Sequence, residues 1–507
     1  WTDSAVTTRD TDFEGSGTES DPYLISSAEE LAGLAYLTNI STSTTYNGSN
    51  VYYLQTADID LSDYWWDAIG TSRSSTYYFQ GHYDGDGHTV SGIYTQPGSS
   101  STYSYQGLFG YVYGASSTNR AEISNVGVID SNIQGYQYVG GIAGYAHYTN
   151  ITNCYNTGSV TGSSQHIGGV VGYNTNSTVS NSYNTGDVTS SGYNVGGVVG
   201  GNDSSTVTNS YNTGDVTGST AVANSNVGGV VGFNYQATVE NSYNTGSVTS
   251  SSSYVGGVVG RNYSATVSNS YNTGGVSGTS YVGGVVGYNL SSSTVSNSYN
   301  TGDVTSTYSG SYADTGGVVG YNSSSTVSNS YNTGSVTASG QRVGGVVGYN
   351  YNGADVYNSF NTGSVTGTAS AYTGAIVGYN YYNSATISNC YWGVNCTQTK
   401  AYGYNSDGTV ANCYQFENDS DPKTYVFFQD STKWDSDYPW DFETVWAFDG
   451  TNNGYPVLRE MKTLKINIIT SGIVTVSVDI TTSGGGLSSD NILSTTTSEN
   501  VITIDFV

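Results

Sequence analysis

The chain has 507 residues, only 10% of them charged, and its 38 acids against 11 bases give a formal charge of −27. That balance disfavours nucleic acid and anionic membrane surfaces as partners and is compatible with cation binding. Glycine (68) and tyrosine (49) are over-represented; many aromatics with little charge exclude a disordered chain, and the shortage of Lys, Glu and Leu argues against an ordinary enzyme domain.

Residues 1–50 read as an N-terminal cap. The chain opens on Trp1 with no apolar leader, the pattern of a secreted protein after signal removal. In D-T-D-F-E-G-S-G-T-E-S-D, Asp10, Asp12, Glu14 and Asp21 fall at ligand positions of an EF-hand-like calcium loop, with Gly15 at its turn. Glu14 and Asp21 depart from the usual residues there and no helix precedes, so a solvated acidic terminus is the competing reading. Asp21–Ile25 reads as a strand and Ser26–Leu37 as an amphipathic helix with a Ser27/Glu30 capping box. Laid across the first coil, that helix would close an open core end.

Residues 51–120 read as irregular early coils. The Asp84-Gly85-Asp86-Gly87-His88 cluster is a tight turn between strands, with a metal loop or acid/base pair as the alternative.

Residues 121–415 are organised by a repeat of about 28 residues. V-G-G-V-V-G-Y-N and its variants recur from Val139 to Asn380, separated by T-V-S-N-S-Y-N-T-G. The spacing from Gly168 to Tyr183 is kept from Gly196 to Tyr211 and from Gly228 to Tyr243, whereas the return path varies in length. One side of each coil is held in register and the other takes insertions, as in a stacked-repeat array. Val, Thr, Tyr, Asn, Ser and Gly build strands, not helices. The fold class is therefore all-β, a parallel β-solenoid. Strict alternation through T-V-S-N-S-Y places Val207, Asn209 and Tyr211 inward.

These phrases resemble the GLUG repeat of prokaryotic cell-surface and secreted proteins, over about residues 107–390. The resemblance implies a scaffold on which function varies, including adhesin-like proteins and non-catalytic parts of large secreted peptidases. It also implies that the opening around Pro22-Tyr23 and the phrase Trp440–Arg459 are N- and C-terminal caps.

Chemistry-bearing residues are sparse in the repeats. From Ala121 to Asn389 the bases are Arg261 and Arg342, with His147 and His166. Asp187, Asp215 and Asp303 share one turn position with Ser159, Ser247 and Ser335. No H-E-x-x-H, G-x-S-x-G or P-loop occurs, so the reading is of a non-enzyme with no cofactor beyond a structural calcium ion. Cys154, Cys390 and Cys413 each replace Ser in N-S-Y. Cys390 and Cys413, a shortened coil apart, are a disulfide candidate, with Cys396 a competing partner and Cys154 a free thiol or intersubunit link. Asn262, Asn289 and Asn322 head N-x-S sequons and Asn202 a related one; chance in an Asn- and Ser-rich chain is the alternative to glycosylation.

Residues 416–461 form an acidic, Trp-rich cap. Residues 462–507 are a β-strand tail, with strands at Leu464–Thr470, Ile473–Ile480 and Val501–Val507, marginal alone and expected either to pack on the cap or to pair with a neighbouring subunit. No apolar run approaches the ~20 residues that span a bilayer. The sequence thus points to an extracellular structural protein that self-assembles into a layer, sheath or filament. The alternative is an adhesin for glycans, a cell-wall polymer or another cell surface.

Overall fold

In the computed structural model the chain forms two compact units, Trp1–Gln415 and Phe416–Val507. The structure describes residues 9–415, apart from 41–44, 63–64, 72–76, 97, 99, 219–224, 311–312, 369–371 and 394–395, together with 440–442, 444–447, 456–459, 463–467, 492–498 and 501–506.

One coil shows how the repeat makes the first unit. Ile167–Gly168, Val171–Thr175, Thr178–Ser180, Tyr183–Asn184 and Val188–Ser190 are five short strands. Each pairs in parallel with its counterpart one coil on, as in Val179↔Val207, Tyr183↔Tyr211 and Val188↔Val216. Repetition builds five parallel sheets of 14, 13, 11, 9 and 9 strands, a β-solenoid. The 14-stranded sheet starts at Tyr23–Ile25, takes in Tyr52–Gln55 and His82–Asp84, and ends at Thr409–Ala411.

The core is a valine column. Val170, Val171, Val179 and Val188 are all fully buried, as are their equivalents in following coils. Two ladders of buried asparagine run through it. From Asn156 to Asn361 each Nδ2 donates 2.8 Å to the next coil's Oδ1. A second ladder, from Asn174 to Asn405, does the same at 2.8–2.9 Å. The interior can carry these amides because each is bonded to its neighbour along the stacking axis, the Oδ1 of the first rung, Asn174, alone lacking a partner. Glycine makes the room: a Cβ on Gly229 would lie 2.1 Å from the Gly257 carbonyl oxygen and 2.4 Å from the Asn244 amide carbon. This is why V-G-G-V-V-G does not alternate.

The inward assignment of Asn209 and Tyr211 is corrected. Asn209 has φ +50 and is exposed, and Asn181, Asn241, Asn269 and Asn297 repeat that left-handed corner. The corner breaks the alternation, so Ser210 and Asn212 point inward and Tyr211 lies half-buried on the outside. Asn is among the few residues that adopt this conformation readily.

The capping helix spans Ala28–Ile40, later at both ends than expected. Ser27 Oγ accepts the Glu30 N–H at 3.2 Å, while the Glu30 carboxylate reaches back to Ser26 N–H (2.6 Å), one residue upstream of a standard capping box. Leu31, Leu34 and Ala35 join Ile25 and Tyr53 in the core, so the helix closes the first coils. The Asp84 cluster is a turn: Asp84 Oδ1 accepts the Asp86 N–H and the Asn125 amide, both at 2.9 Å.

In the second unit Trp446–Ala447 pairs antiparallel with Val457–Leu458, and the Trp440 and Trp446 rings stack 4.4 Å apart. Thr463–Asn467, Val501–Phe506 and Ile492–Ser498 form an antiparallel sheet in that order. The strand at Ile492–Ser498 carries a Ser/Thr run without apolar alternation, so its period gave no signal. The expected strand Ile473–Ile480 lies outside the described residues.

Candidate binding faces of the solenoid

Two outer faces are aromatic, and they differ in geometry. On the 13-stranded sheet Tyr155, Tyr183, Tyr211, Tyr243, Tyr271, Tyr299, Tyr331 and Phe360 form a ladder, with centroids 4.8–4.9 Å apart and planes within 2–4°. Each ring covers its neighbour's face. Only edges and hydroxyls remain for solvent from Tyr155 to Tyr299, so the ladder offers a sugar no ring face to stack on. Beside it, the repeat carboxylates hold backbone. Asp187 Oδ1 accepts the Asp215 N–H (3.1 Å), Asp215 Oδ1 that of Ser247 (2.9 Å), and Asp303 Oδ1 that of Ser335 (3.0 Å).

The second face lies over the 11-stranded sheet. Tyr111, Tyr145, Tyr173, Phe233, Tyr288, Tyr321, Tyr349, Tyr379 and Tyr404 occupy one outward position of successive strands, interrupted by Gly201 and Arg261. Tyr113, Tyr235, Tyr263, Tyr351 and Tyr381 flank them two residues on. These rings meet at mixed angles, from 84° for Tyr321–Tyr349 to 12° for Tyr379–Tyr404. Faces as well as edges are therefore presented along this wall. Most of its rings are half-buried. Burial raises the Tyr111 phenol to about 12, with Tyr105 and Tyr113 adding to it, and raises Tyr145 and Tyr321 further.

The repeat cations sit in this wall. The Arg261 guanidinium lies 5.5–5.7 Å from the centroids of Phe233, Tyr254, Tyr263 and Tyr288. Arg342 lies 4.3 Å over Tyr349 and 3.4 Å from fully buried Asp314. Burial pushes the Asp314 carboxyl up to about 7 against the opposing pull of Arg342. Burial pushes His166 down to about 3, so its imidazole is neutral at pH 7.

A cleft of about 320 Å³ opens between the capping helix and the first coils, lined in part by Arg9, Tyr36, Trp65, Trp66, Asp67 and Tyr77. Arg9 lies 4.6 Å over the Tyr36 ring, and Trp66 is anchored by its indole N–H to the Gly107 and Leu108 carbonyls.

The residues of the calcium-loop expectation, Asp10, Asp12, Glu14 and Asp21, lie in an acidic turn, and among the described residues no three His, Cys, Asp or Glu side chains gather as a metal site. Asp10 Oδ1 accepts the Asp12 N–H, and Asp21 pairs through its backbone with Thr18 in a tight turn. The sequon residues Asn202, Asn262, Asn289 and Asn322 are fully buried rungs of the second asparagine ladder, and a glycan on any of them would open the core. The four cysteines are free thiols. Cys154 is fully buried, which leaves no intersubunit link. Cys390 and Cys413 are adjacent across the last coils, flanked by the pairs Ser388↔Ala411 and Tyr391↔Tyr414.

The aromatic wall was missed by sequence reading. Its signal was the variable residue of V-G-x-N, repeatedly Tyr or Phe.

A halomucin of Haloquadratum walsbyi is 33% identical over 162 residues, 30% of this chain and 2% of that protein's length. Among solved structures, a putative immunoglobulin A1 protease from Bacteroides ovatus aligns over 88% of this chain and 95% of its own (18% identity, TM-score 0.24). The A-module of the Azotobacter vinelandii mannuronan C-5 epimerase AlgE6 aligns over 80% and 97% (12% identity, TM-score 0.29). No helix of the described residues is long and apolar enough to cross a membrane. The GLUG motif matches eight times, at 135–161, 163–189, 191–217, 223–249, 251–277, 278–305, 311–337 and 339–366, so the chain carries eight GLUG repeats.

Proposed function

We propose that the chain is a non-enzymatic structural protein of a prokaryotic cell surface whose copies associate side by side through the aromatic wall, building a layer, sheath or filament. The wall carries this reading. Eleven strands at ~4.8 Å span ~50 Å, and its columns cover ~15 Å, roughly 800 Å², about what one partner contributes to a stable interface. A continuous aromatic patch of that size marks an interaction surface. The wall bears few carboxylates, so the net charge of −27 opposes approach from elsewhere, and salt should relieve it. The GLUG repeats and the halomucin match support a surface location.

The test is light scattering and electron microscopy of the full chain from low to molar salt, beside a Tyr263→Glu/Tyr351→Glu variant with an unchanged circular-dichroism spectrum. Salt-promoted assembly that the variant loses is the expected result. Single particles at every salt, or a variant that assembles normally, would overturn it. Truncation after Arg459 separates the wall from the tail: if only the truncated chain fails to assemble, strand addition by residues 462–507 is the mechanism.

The cleft favours a second reading, an adhesin. Aromatic walls beside Arg9 and Asp67 suit a sugar ring, which presents apolar faces and polar edges. Glycan-array binding abolished by Trp65→Ala, with assembly intact, would select it.

A further inference from the structure

One inward column changes chemistry at its end. At the position of N-S-Y, Ser182, Ser210, Ser242, Ser270, Ser298, Ser330 and Ser359 stack in the core. Each Oγ accepts the backbone N–H one coil before, from Cys154 N to Ser182 Oγ (3.1 Å) through to Ser330 N to Ser359 Oγ (3.2 Å). The next two members are Cys390 and Cys413. Sulfur continues the hydroxyl pattern, donating to the carbonyl two residues back: Cys390 Sγ to Ser388 (3.1 Å) and Cys413 Sγ to Ala411 (3.2 Å). The two stand in register, flanked by the pairs Ser388↔Ala411 and Tyr391↔Tyr414. A lone cysteine, Cys154, fills the same position at the column's other end, and Cys396 is buried outside the column.

We propose that Cys390 and Cys413 form a disulfide under oxidising conditions, a covalent cross-link between the last two coils. In-register neighbours on parallel strands stand ~4.8 Å apart, within the Cα range that a disulfide spans without backbone movement. Each sulfur leans toward the preceding coil, Cys390 Sγ to the Val356 carbonyl and Cys413 Sγ to the Ile387 carbonyl, both at 3.8 Å, which brings Cys413 Sγ against the coil that carries Cys390. Cys413 is the more exposed partner, and the Cys390 thiol beside it favours its thiolate while burial holds Cys390 protonated. Cys413 therefore attacks first. Its thiolate displaces one thiolate from a small-molecule disulfide such as oxidised glutathione, giving a mixed disulfide. Cys390 then loses its proton to water and attacks the Cys413 sulfur, expelling the second thiolate. Two protein thiols are oxidised by two electrons, and the oxidant is reduced to two thiols.

The position gives the bond its effect. Among the described residues Tyr402–Asn405, Thr409–Ala411 and Tyr414–Gln415 are the terminal strands of their sheets. A cross-link there stops the solenoid from unwinding at its end.

The full chain, purified reduced and then incubated with oxidised glutathione, is alkylated, cut with chymotrypsin and mapped by mass spectrometry. The expected product is one cross-linked pair, Cys390 to Cys413, lighter by two hydrogens, with Cys154 and Cys396 unlinked. Hydrogen exchange at Tyr402–Gln415 should slow at least tenfold in the oxidised protein, and Cys413→Ser, which restores the serine of the column and so preserves folding, should abolish both changes. A stable glutathione adduct on Cys413 without the cross-link, a bond to Cys396, or unaltered exchange after cross-linking would each overturn the proposal.

Discussion

Asn244 is the most direct test of what holds the coils together. Its Oδ1 accepts the Asn212 amide at 2.8 Å, and its Nδ2 donates to the Gly246 carbonyl (2.7 Å) and Asn272 Oδ1 (2.8 Å). Asn244→Ala breaks all three bonds in a site with no solvent exposure. A buried group left without a partner costs about 1–3 kcal/mol; because the three groups share one site their costs are not additive, and the expected loss is ~3–5 kcal/mol. Ser247→Ala, on an exposed side chain of the same coil, should cost under ~0.5 kcal/mol. Urea unfolding followed by circular dichroism compares the two. Hydrogen exchange should show protection lost first in the coils touching residue 244, since each coil contacts only its neighbours. If the two variants unfold at the same urea concentration, the asparagine ladder does not stabilise the solenoid and the account of its interior fails.

Asp314 should make stability depend on pH. Its carboxyl titrates near 7 when folded and near 3.9 when unfolded, so the folded state holds the extra proton between those values and stability falls as pH rises from about 4 to 7, by an amount on the order of a few kcal/mol. Thermal melts of Asp314→Asn across that range should show a flatter profile, and an unchanged slope would place the titration elsewhere. Deleting Gly228–Val255, one whole coil, should leave a folded, shorter solenoid, since Gly256 can take the place of Gly228 in register; loss of the β-sheet spectrum would contradict nearest-neighbour stacking. Glycopeptide mass spectrometry should find Asn202, Asn262, Asn289 and Asn322 bare, and a glycan on any of them would mean that its coil does not close.

What was legible in the sequence followed from period and registration. The fixed spacing of Gly168 to Tyr183 marked the paired strands, and cysteine in the N-S-Y slot marked a stacked column at Cys390 and Cys413. Local alternation failed at Asn209, because a left-handed corner resets which residues face inward, and period-2 reasoning has no means of seeing a corner. It failed likewise at the sequons, since N-x-S describes a chemical acceptor and carries no record that Asn262 is spent on its neighbours. The aromatic wall was hidden for a different reason. Its members occupy a position that varies between Tyr, Phe, Arg and Gly, and their adjacency exists only once successive coils are stacked.

The parallel tyrosine ladder has an optical consequence. Phenols 4.8 Å apart with planes within 4° are close enough for their excited states to couple and pass energy along the column. No tryptophan occurs between Trp66 and Trp392, so no indole acceptor interrupts it. Trp392 lies beside Tyr391, which continues the pairing of Tyr331 and Phe360. Phe360, whose excited state lies above a phenol's, ends the run of phenols at Tyr331, so excitation is shared among Tyr155 to Tyr331, and the depolarisation of phenol emission becomes a gauge of how many coils remain stacked.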